Sequence, residues 1–245
     1  MTNTPEVWAI IPARGGSKGI PRKNIKRIAG KPMLAYSVDQ AKQSKYVTRV
    51  FVNTEDAEIA QVARDAGAEV FDRPQEFAED MSTDHEVFLH QMKDAEAKGE
   101  LPDAVVQLRP NLPCRKVEDI DKAVKLLLDN PECDSVRAIM KSAKHPFKMW
   151  TIDGEYIRPF IPFNLHGIPD ATDQPHQKFP NAYIHTAAVD VMLPRTILEK
   201  GSMTGKVVRY FEMDPSDAVN IDNMLDFRVA EQVLLERQHD KEEKT

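Results

Sequence analysis

Short β-prone runs alternate with segments of helical period from the N-terminus to about Met140. VWAIIP is apolar throughout and predicts a buried strand, after which the loop ARGGSKG interrupts the pattern. Pro32 predicts the start of a helix through MLAYSVDQAKQSK, because proline suits a first helical position. VTRVFVNT is short and β-branched, a second strand. Beyond it Ile59, Ala63 and Ala66 recur at helical spacing ahead of Gly67, a helix stop. AEVF predicts a third strand. Thr83 and Glu86 then form the Thr-x-x-Glu pattern of a capping box at the head of STDHEVFLHQMKDAEAKG. DAVVQLRP predicts a fourth strand, and DSVRAIM a fifth. Between them VEDIDKAVKLLLDN predicts a helix with Ile120, Val124, Leu127 and Leu128 on one face. Such alternation predicts an α/β fold built on a doubly wound, mostly parallel sheet. Ligands of such sheets sit beyond the carboxyl ends of the strands, where ARGGSKG and RPNLPCR would lie.

From about Lys144 the texture changes. KHPFKMWTIDGEYIRPFIPFNLHGIPDATDQPHQKFPNAY is rich in proline and aromatics and lacks helical period. It predicts an inserted arm that packs on a neighbouring element or on a partner subunit. Strand and helix signals return with AAVDVML, KVVRYFEM and MLDFRVAEQVLLERQ, and HDKEEKT predicts a frayed end.

The chain of 245 residues has room for one large α/β domain or two small ones. Its 41% hydrophobic and 29% charged residues are those of an ordinary globular protein. A formal charge of −6 argues against nucleic acid as a general partner. Cys114 and Cys133 are too few for a disulfide framework and lack Cys-x-x-Cys spacing, which points to a reducing compartment. Neither a secretory leader nor a membrane-length apolar run is present, so the expected location is cytoplasmic, with no membrane partner.

Against that acidic background one window stands out. Between Val7 and Val38 there is no acid, while Arg14, Lys18, Arg22, Lys23, Lys26, Arg27 and Lys31 supply seven cations. Glycines after a strand let backbone N–H groups approach phosphate, and cations neutralise it. Gly15, Gly16 and Gly19 fit neither the dinucleotide pattern G-x-G-x-x-G nor a P-loop. A solvated basic turn, or a nuclear-localisation cluster in PRKNIKR, is the plain alternative. The buried strand directly before the loop favours phosphate.

IIPARGGSKGIPRKNIKRIAGKP closely resembles the opening of the acylneuraminate cytidylyltransferases, the CMP-sialic acid synthetase family. The resemblance runs in order through VTRVFVNTEDAEIAQVARDAGAEVFDRPQEFAED, VVQLRPNLPCR, HPFKMW, QKFPNAY and VNIDNMLDF, covering most of the chain. It implies a single Rossmann-like domain over 1–245 with a dimerisation arm near 145–182, and a homodimer as the working form. The implied reaction joins CTP to the anomeric hydroxyl of a 2-keto-3-deoxy sugar acid, with magnesium assisting and pyrophosphate released. A synthetase for the eight-carbon acid Kdo, another nucleotide-sugar synthetase, or a non-catalytic nucleotide-binding regulator are the alternatives.

By motif match, Arg14, Gly15, Ser17, Lys18 and Lys23 are implied to hold the triphosphate, and Asn24 to read the cytosine. Lys18, Lys23 and Asp222 are the implied catalytic residues. Fixed cations suit attack on phosphorus, which accumulates charge on equatorial and leaving oxygens. Arg73 matches the family's arginine near the nucleotide. Arg109 stands where glutamine is commoner, and could pair with phosphate, with the sugar carboxylate, or with loop carbonyls. Arg115 is expected at the surface or ordering a loop, and Asp80 on a neighbouring loop or a metal-bound water. In NIDN, Asn220 and Asp222 lie i, i+2, on one side of an extended segment, and are the candidate magnesium ligands. The family has Asp-x-Asp there, so Asn220 supplies an amide where a carboxylate is usual. Asp226 is expected in the first turn of the last helix. Lys148, Gln177 and Thr186 are the implied acceptor contacts beside Arg109. Departures at His176, Ile184, Thr186 and Asp190 imply an acid other than ordinary N-acetylneuraminate. The remaining histidines, with Phe147, Met149 and Trp150, are expected in packing or subunit contact.

Overall fold

The computed structural model describes residues 4–17, 19–162, 167–168 and 170–243. Lys18, assigned above to the triphosphate, and His166 lie outside the described residues. In chain order the elements are β1 (Val7–Pro12), β2 (Arg27–Ile28), β3 (Lys31–Pro32), α1 (Met33–Gln43), β4 (Arg49–Thr54), α2 (Ala57–Asp65), β5 (Glu69–Asp72) and α3 (Asp84–Lys98). There follow β6 (Ala104–Gln107), α4 (Val117–Leu128), β7 (Ser135–Lys141), β8 (Trp150–Asp153), β9 (Tyr156–Pro159), β10 (Tyr183–Met192), α5 (Pro194–Leu198), β11 (Val208–Glu212) and α6 (Met224–Glu242).

The central sheet has seven strands in the order β11-β7-β10-β6-β1-β4-β5. β1 is parallel to β4, from Trp8 beside Arg49 to Pro12 beside Asn53, and parallel to β6, from Val7 beside Ala104 to Ile10 beside Gln107. β10 breaks the pattern by running antiparallel to β6, with Asp190 opposite Gln107. The strand order reverses at β1: β4 and β5 extend the sheet to one side and β6 to the other. Crevices at such reversals are where open α/β sheets take their ligands.

Local chemistry explains the helix boundaries. Thr83 accepts from the Glu86 amide while the Glu86 carboxylate accepts from the Thr83 amide, so the capping box forms as the sequence predicts. Asp56 caps α2 by accepting from the Glu58 and Ile59 amides. Pro32 stands just ahead of α1, one residue outside the first helical position. Asp226 lies in the first turn of α6 and accepts from the amides of Asp222 and Asn223.

Two apolar clusters hold these parts together. Trp8, Ile10, Phe51 and Val105 of the sheet pack with Val87, Phe88 and Met92 of α3. The second cluster joins Ile20, Ile28, Tyr36, Cys114 and Ile221 to Phe227, Ala230 and Leu234 of α6. Ile20, Cys114 and Ile221 come from three separate loops, so this cluster is the apolar floor that ties those loops to one another. Ile221 is fully buried, and truncating such a side chain to alanine costs about 2–5 kcal/mol.

By packing, the chain forms two units, residues 1–138 with 186–245, and residues 139–185. The second has a small core of Phe147, Ala171 and Phe179, against which His145 stacks. It also contains the hairpin β8–β9, whose two-residue turn opens with Gly154 at φ 62°. No strand is predicted there from the proline-rich texture; the Asp153-Gly154 pair between β-prone runs was the available signal. Ile152, Tyr156, Ile157 and Phe160 of this unit are exposed. Among the described residues no helix is long and apolar enough to cross a membrane.

Candidate active site

A cavity of about 380 Å³ opens past the carboxyl ends of β1 and β6, at the reversal of strand order. Pro12, Arg14, Gly16, Ser17, Gly19, Lys23 and Asn24 line it from the glycine–basic loop, and Arg109, Pro110 and Asn111 from the loop after β6. Arg73, Phe77, the 79–84 segment with the head of α3, and Asp222 complete it. A larger hollow of about 610 Å³ lies among Tyr36, Gln40, Lys116, Leu234 and Arg237, and is lined by none of the candidate catalytic, nucleotide, acceptor or metal residues.

The acid-free window is not left uncompensated, because its cations meet acids from distant segments. Arg14 pairs with Asp80 at 3.2 Å and donates to the Glu79 carbonyl. Arg22 grips Asp56 through both terminal nitrogens and also reaches Glu58. That pairing raises the Arg22 guanidinium and holds the Asp56 carboxyl down at about 2. The same pairing anchors a loop in which Arg22 occupies the left-handed region at φ 53°, a strained setting for a residue with a Cβ. Lys23, largely buried, donates to the Ile221 carbonyl at 2.8 Å and lies 3.5 Å from Asp222.

Two residues expected to meet nucleotide are already bonded within the protein. The Gly15 amide donates to Glu55 at 2.6 Å, and Gly15 does not line the cavity. Asn24 does line it, with its Nδ2 donating to the Arg14 carbonyl at 2.9 Å. Arg73 borders the cavity but is buried, and both its bonds go to Asn53. Burial pushes its guanidinium below the usual arginine range.

Arg109 reaches Asp84 of α3 at 2.5 Å, and the buried Gln107 amide donates to the same oxygen at 2.8 Å. The Arg109 Nε is buried without a partner. Asp84 escaped the sequence reading because its role depends on where α3 begins in space. Arg115 is not at the surface. It is buried and donates to the carbonyls of Ala188 and Arg109, to Ser37 and to Gln40, so it orders the loop that carries Arg109. Desolvation pushes it down to about 9.

Burial alternates through the segment ahead of α6: Asn220 and Asp222 face solvent, while Ile221 points into the apolar floor. Asn220 Nδ2 donates to Asp222 at 2.8 Å, and Asn220 Oδ1 accepts from Asn111 at 2.6 Å. As the side chains stand, Asp222 offers oxygen to the cavity and Asn220 offers an N–H to Asp222. No cluster of three His, Cys, Asp or Glu side chains able to hold a metal occurs among the described residues. Magnesium needs less, since it is commonly held by one or two carboxylates together with substrate phosphates. The exposed carboxylate of Asp222, at the edge of the cavity, fits an ion of that kind.

Thr186, expected at the acceptor, does not line the cavity; it is buried, and its hydroxyl donates to the Ala138 carbonyl. Asp190 is likewise buried and pairs with Arg137 at 2.7 Å. Packing therefore accounts for both departures. Lys148 and Gln177 belong to the second unit, where Lys148 donates to the Thr172 carbonyl at 3.1 Å and Gln177 lies in a short 3-10 turn. His176 stacks on Phe179, and Ile184 is exposed. His85 bonds the Ile197 carbonyl and His90 stacks between Phe71 and Phe77, which are packing roles.

A family model described as cytidylyltransferase matches residues 8–193. N-acylneuraminate cytidylyltransferase A of Danio rerio is 31% identical over 94% of this chain and 51% of its own length, so the chain spans about half of that relative. CMP-N,N'-diacetyllegionaminic acid synthase of Campylobacter jejuni subsp. jejuni is 30% identical over 92% of this chain and 94% of its own. Among solved structures, a CMP:2-keto-3-deoxy-manno-octonic acid synthetase complexed with CTP has a TM-score of 0.70 over 95% of this chain and 99% of that one. At 16% identity that is a likeness of fold.

Proposed function

The chain belongs to the cytidylyltransferase family, and on that footing we propose that it transfers CMP from CTP to a 2-keto-3-deoxy sugar acid of the sialic-acid-like, nonulosonic class. The observation that carries the reading is the convergence of Arg14, Ser17, Lys23, Arg109 and Asp222 on one cavity at the strand reversal.

In this reading Arg14, Ser17 and Lys23, with Lys18 from the same motif, hold the triphosphate. The anomeric hydroxyl oxygen bonds to the α-phosphorus as the bond from that phosphorus to the departing pyrophosphate breaks. Asp222 takes the hydroxyl proton, and fixed cations stabilise the charge gathering on the leaving oxygens. Asp222 would also hold a magnesium ion, which supplies charge neutralisation at the phosphates. Arg109 has an unsatisfied N–H for a carboxylate or a phosphate once Asp84 yields. Lys148 and Gln177 are assigned to the acceptor, and the unit of residues 139–185 to contact between two copies of the chain. The exposed Ile152, Tyr156, Ile157 and Phe160 support that second assignment.

The test is pyrophosphate release from CTP, ATP and GTP, each with a panel of acids: N-acetylneuraminate, deaminated and diamino-dideoxy nine-carbon acids, and the eight-carbon acid. The expected result is turnover with CTP and at least one nine-carbon acid. Equal turnover with ATP, or none with any acid, overturns it.

A further inference from the structure

Asn111 comes to the candidate site from the loop after β6, and two hydrogen bonds join it to the segment before α6. Its carbonyl accepts from the Ile221 amide at 2.9 Å, and its Nδ2 donates to Asn220 Oδ1 at 2.6 Å. The first bond fixes where the segment lies. The second fixes which way Asn220 faces, because a primary amide has one accepting end and one donating end. With Oδ1 engaged by Asn111, Nδ2 is the end that meets Asp222, and it donates to Oδ2 at 2.8 Å. The other oxygen of the same carboxylate stands 3.5 Å from Lys23 Nζ. Asp222 is therefore held on both oxygens although its side chain is 65% exposed.

We propose that Asn111 is a positioning residue, which orients Asp222 by setting the direction of the Asn220 amide. The inference rests on the reading of Asp222 as the proton acceptor. A carboxylate at position 220 would face Asp222 with like charge and need a cation between them. The amide chain removes that need, so Asp222 is oriented before substrate or ion arrives.

Asn111→Ala keeps the backbone bond to Ile221 and removes only the side-chain donor. Asn111→Asp keeps the shape but replaces the donor with an acceptor, so Asn220 must turn its Nδ2 towards position 111 and its Oδ1 towards Asp222. Asn111→Ala is expected to lower kcat about three- to tenfold, the scale of one hydrogen bond, with KM for CTP within about twofold. Asn111→Asp should lower kcat further. In an Asn220→Ala background, Asn111→Ala should have no additional effect. In protein free of nucleotide and metal, selective 15N-asparagine labelling should show the Asn220 side-chain resonance moving in Asn111→Ala while the melting temperature holds. The proposal is overturned by an unchanged kcat in both variants, by a full loss persisting in the Asn220→Ala background, or by an unmoved Asn220 resonance. If the wild-type protein releases no pyrophosphate with any acid, the proposed reaction fails, and the metal-free spectrum alone decides whether Asn111 orients Asn220.

Discussion

A Cβ on Gly19 would collide with the carbonyl oxygen of Asp222. Glycine is needed there for space, so that the glycine–basic loop can lie directly against the segment carrying the candidate base. Backbone cannot rotate out of the way as a side-chain tip can, so Gly19→Ala must push the two apart. A displacement of about 1 Å at reacting groups costs on the order of 10²-fold in rate, and that is the expected loss in kcat/KM. A Gly19→Ala variant that keeps most of the wild-type kcat/KM would remove the contact from the explanation.

Asp80 occupies Arg14, a cation assigned to the triphosphate. An incoming phosphate must displace it, so Asp80→Asn should lower KM for CTP and leave kcat unchanged. Both side chains are partly exposed, and such pairs are worth about 0.2–1 kcal/mol, which corresponds to a roughly 1.5- to 5-fold fall. Initial rates across a CTP titration measure it. A rise in KM would mean that Asp80 helps to bind the nucleotide.

Asp56 both caps α2 and clamps Arg22, and its carboxyl is held at about 2, below its ordinary 3.8. A depressed carboxyl contributes stability above the unfolded value and loses it as pH falls through the folded one. Wild type should therefore exceed Asp56→Ala by about 0.5–2 kcal/mol at neutral pH, the worth of a cap. The gap should narrow between about pH 4 and pH 2. Urea unfolding of both proteins across that range gives the answer, and a gap independent of pH would show that the charge is not what matters.

Asn220→Asp would set a second carboxylate beside Asp222. A carboxylate holds a hard cation better than an amide does, so the magnesium concentration for half-maximal rate should fall. In chelator the same variant should melt below wild type, because two facing carboxylates then lack a cation. Magnesium titration with parallel melts tests both halves. An unchanged requirement would mean that position 220 points away from the ion.

The order of elements was legible because each depends on neighbours in sequence. The apolar run at β1, the Thr83–Glu86 box and the face of Ile120, Val124 and Leu127 needed no distant partner. β8 and β9 were missed because the prolines and aromatics around them masked a two-residue turn. At the site, motif likeness pointed to Arg14, Ser17, Lys23 and Asp222, and these four line one cavity. It could not show what each side chain was bonded to. Asp56, Asp80 and Asp222 reach the basic loop from segments far along the chain, and no local pattern marks such pairings. For the same reason Arg73 and Thr186 looked available, whereas Asn53 and the Ala138 carbonyl already hold them. Asn111 was invisible, since its importance lies in an amide more than a hundred residues away.

The ion pairs of Arg14 with Asp80 and Arg109 with Asp84 also bear on how a turnover ends. A pocket lined with cations alone would cling to pyrophosphate, because releasing it would leave several bare charges side by side. Here each arginine has a carboxylate within reach to return to. On the proposed assignment of these arginines to the phosphates, product departure becomes an exchange of one anion for another, and the vacated pocket regains its paired state without waiting for the next triphosphate.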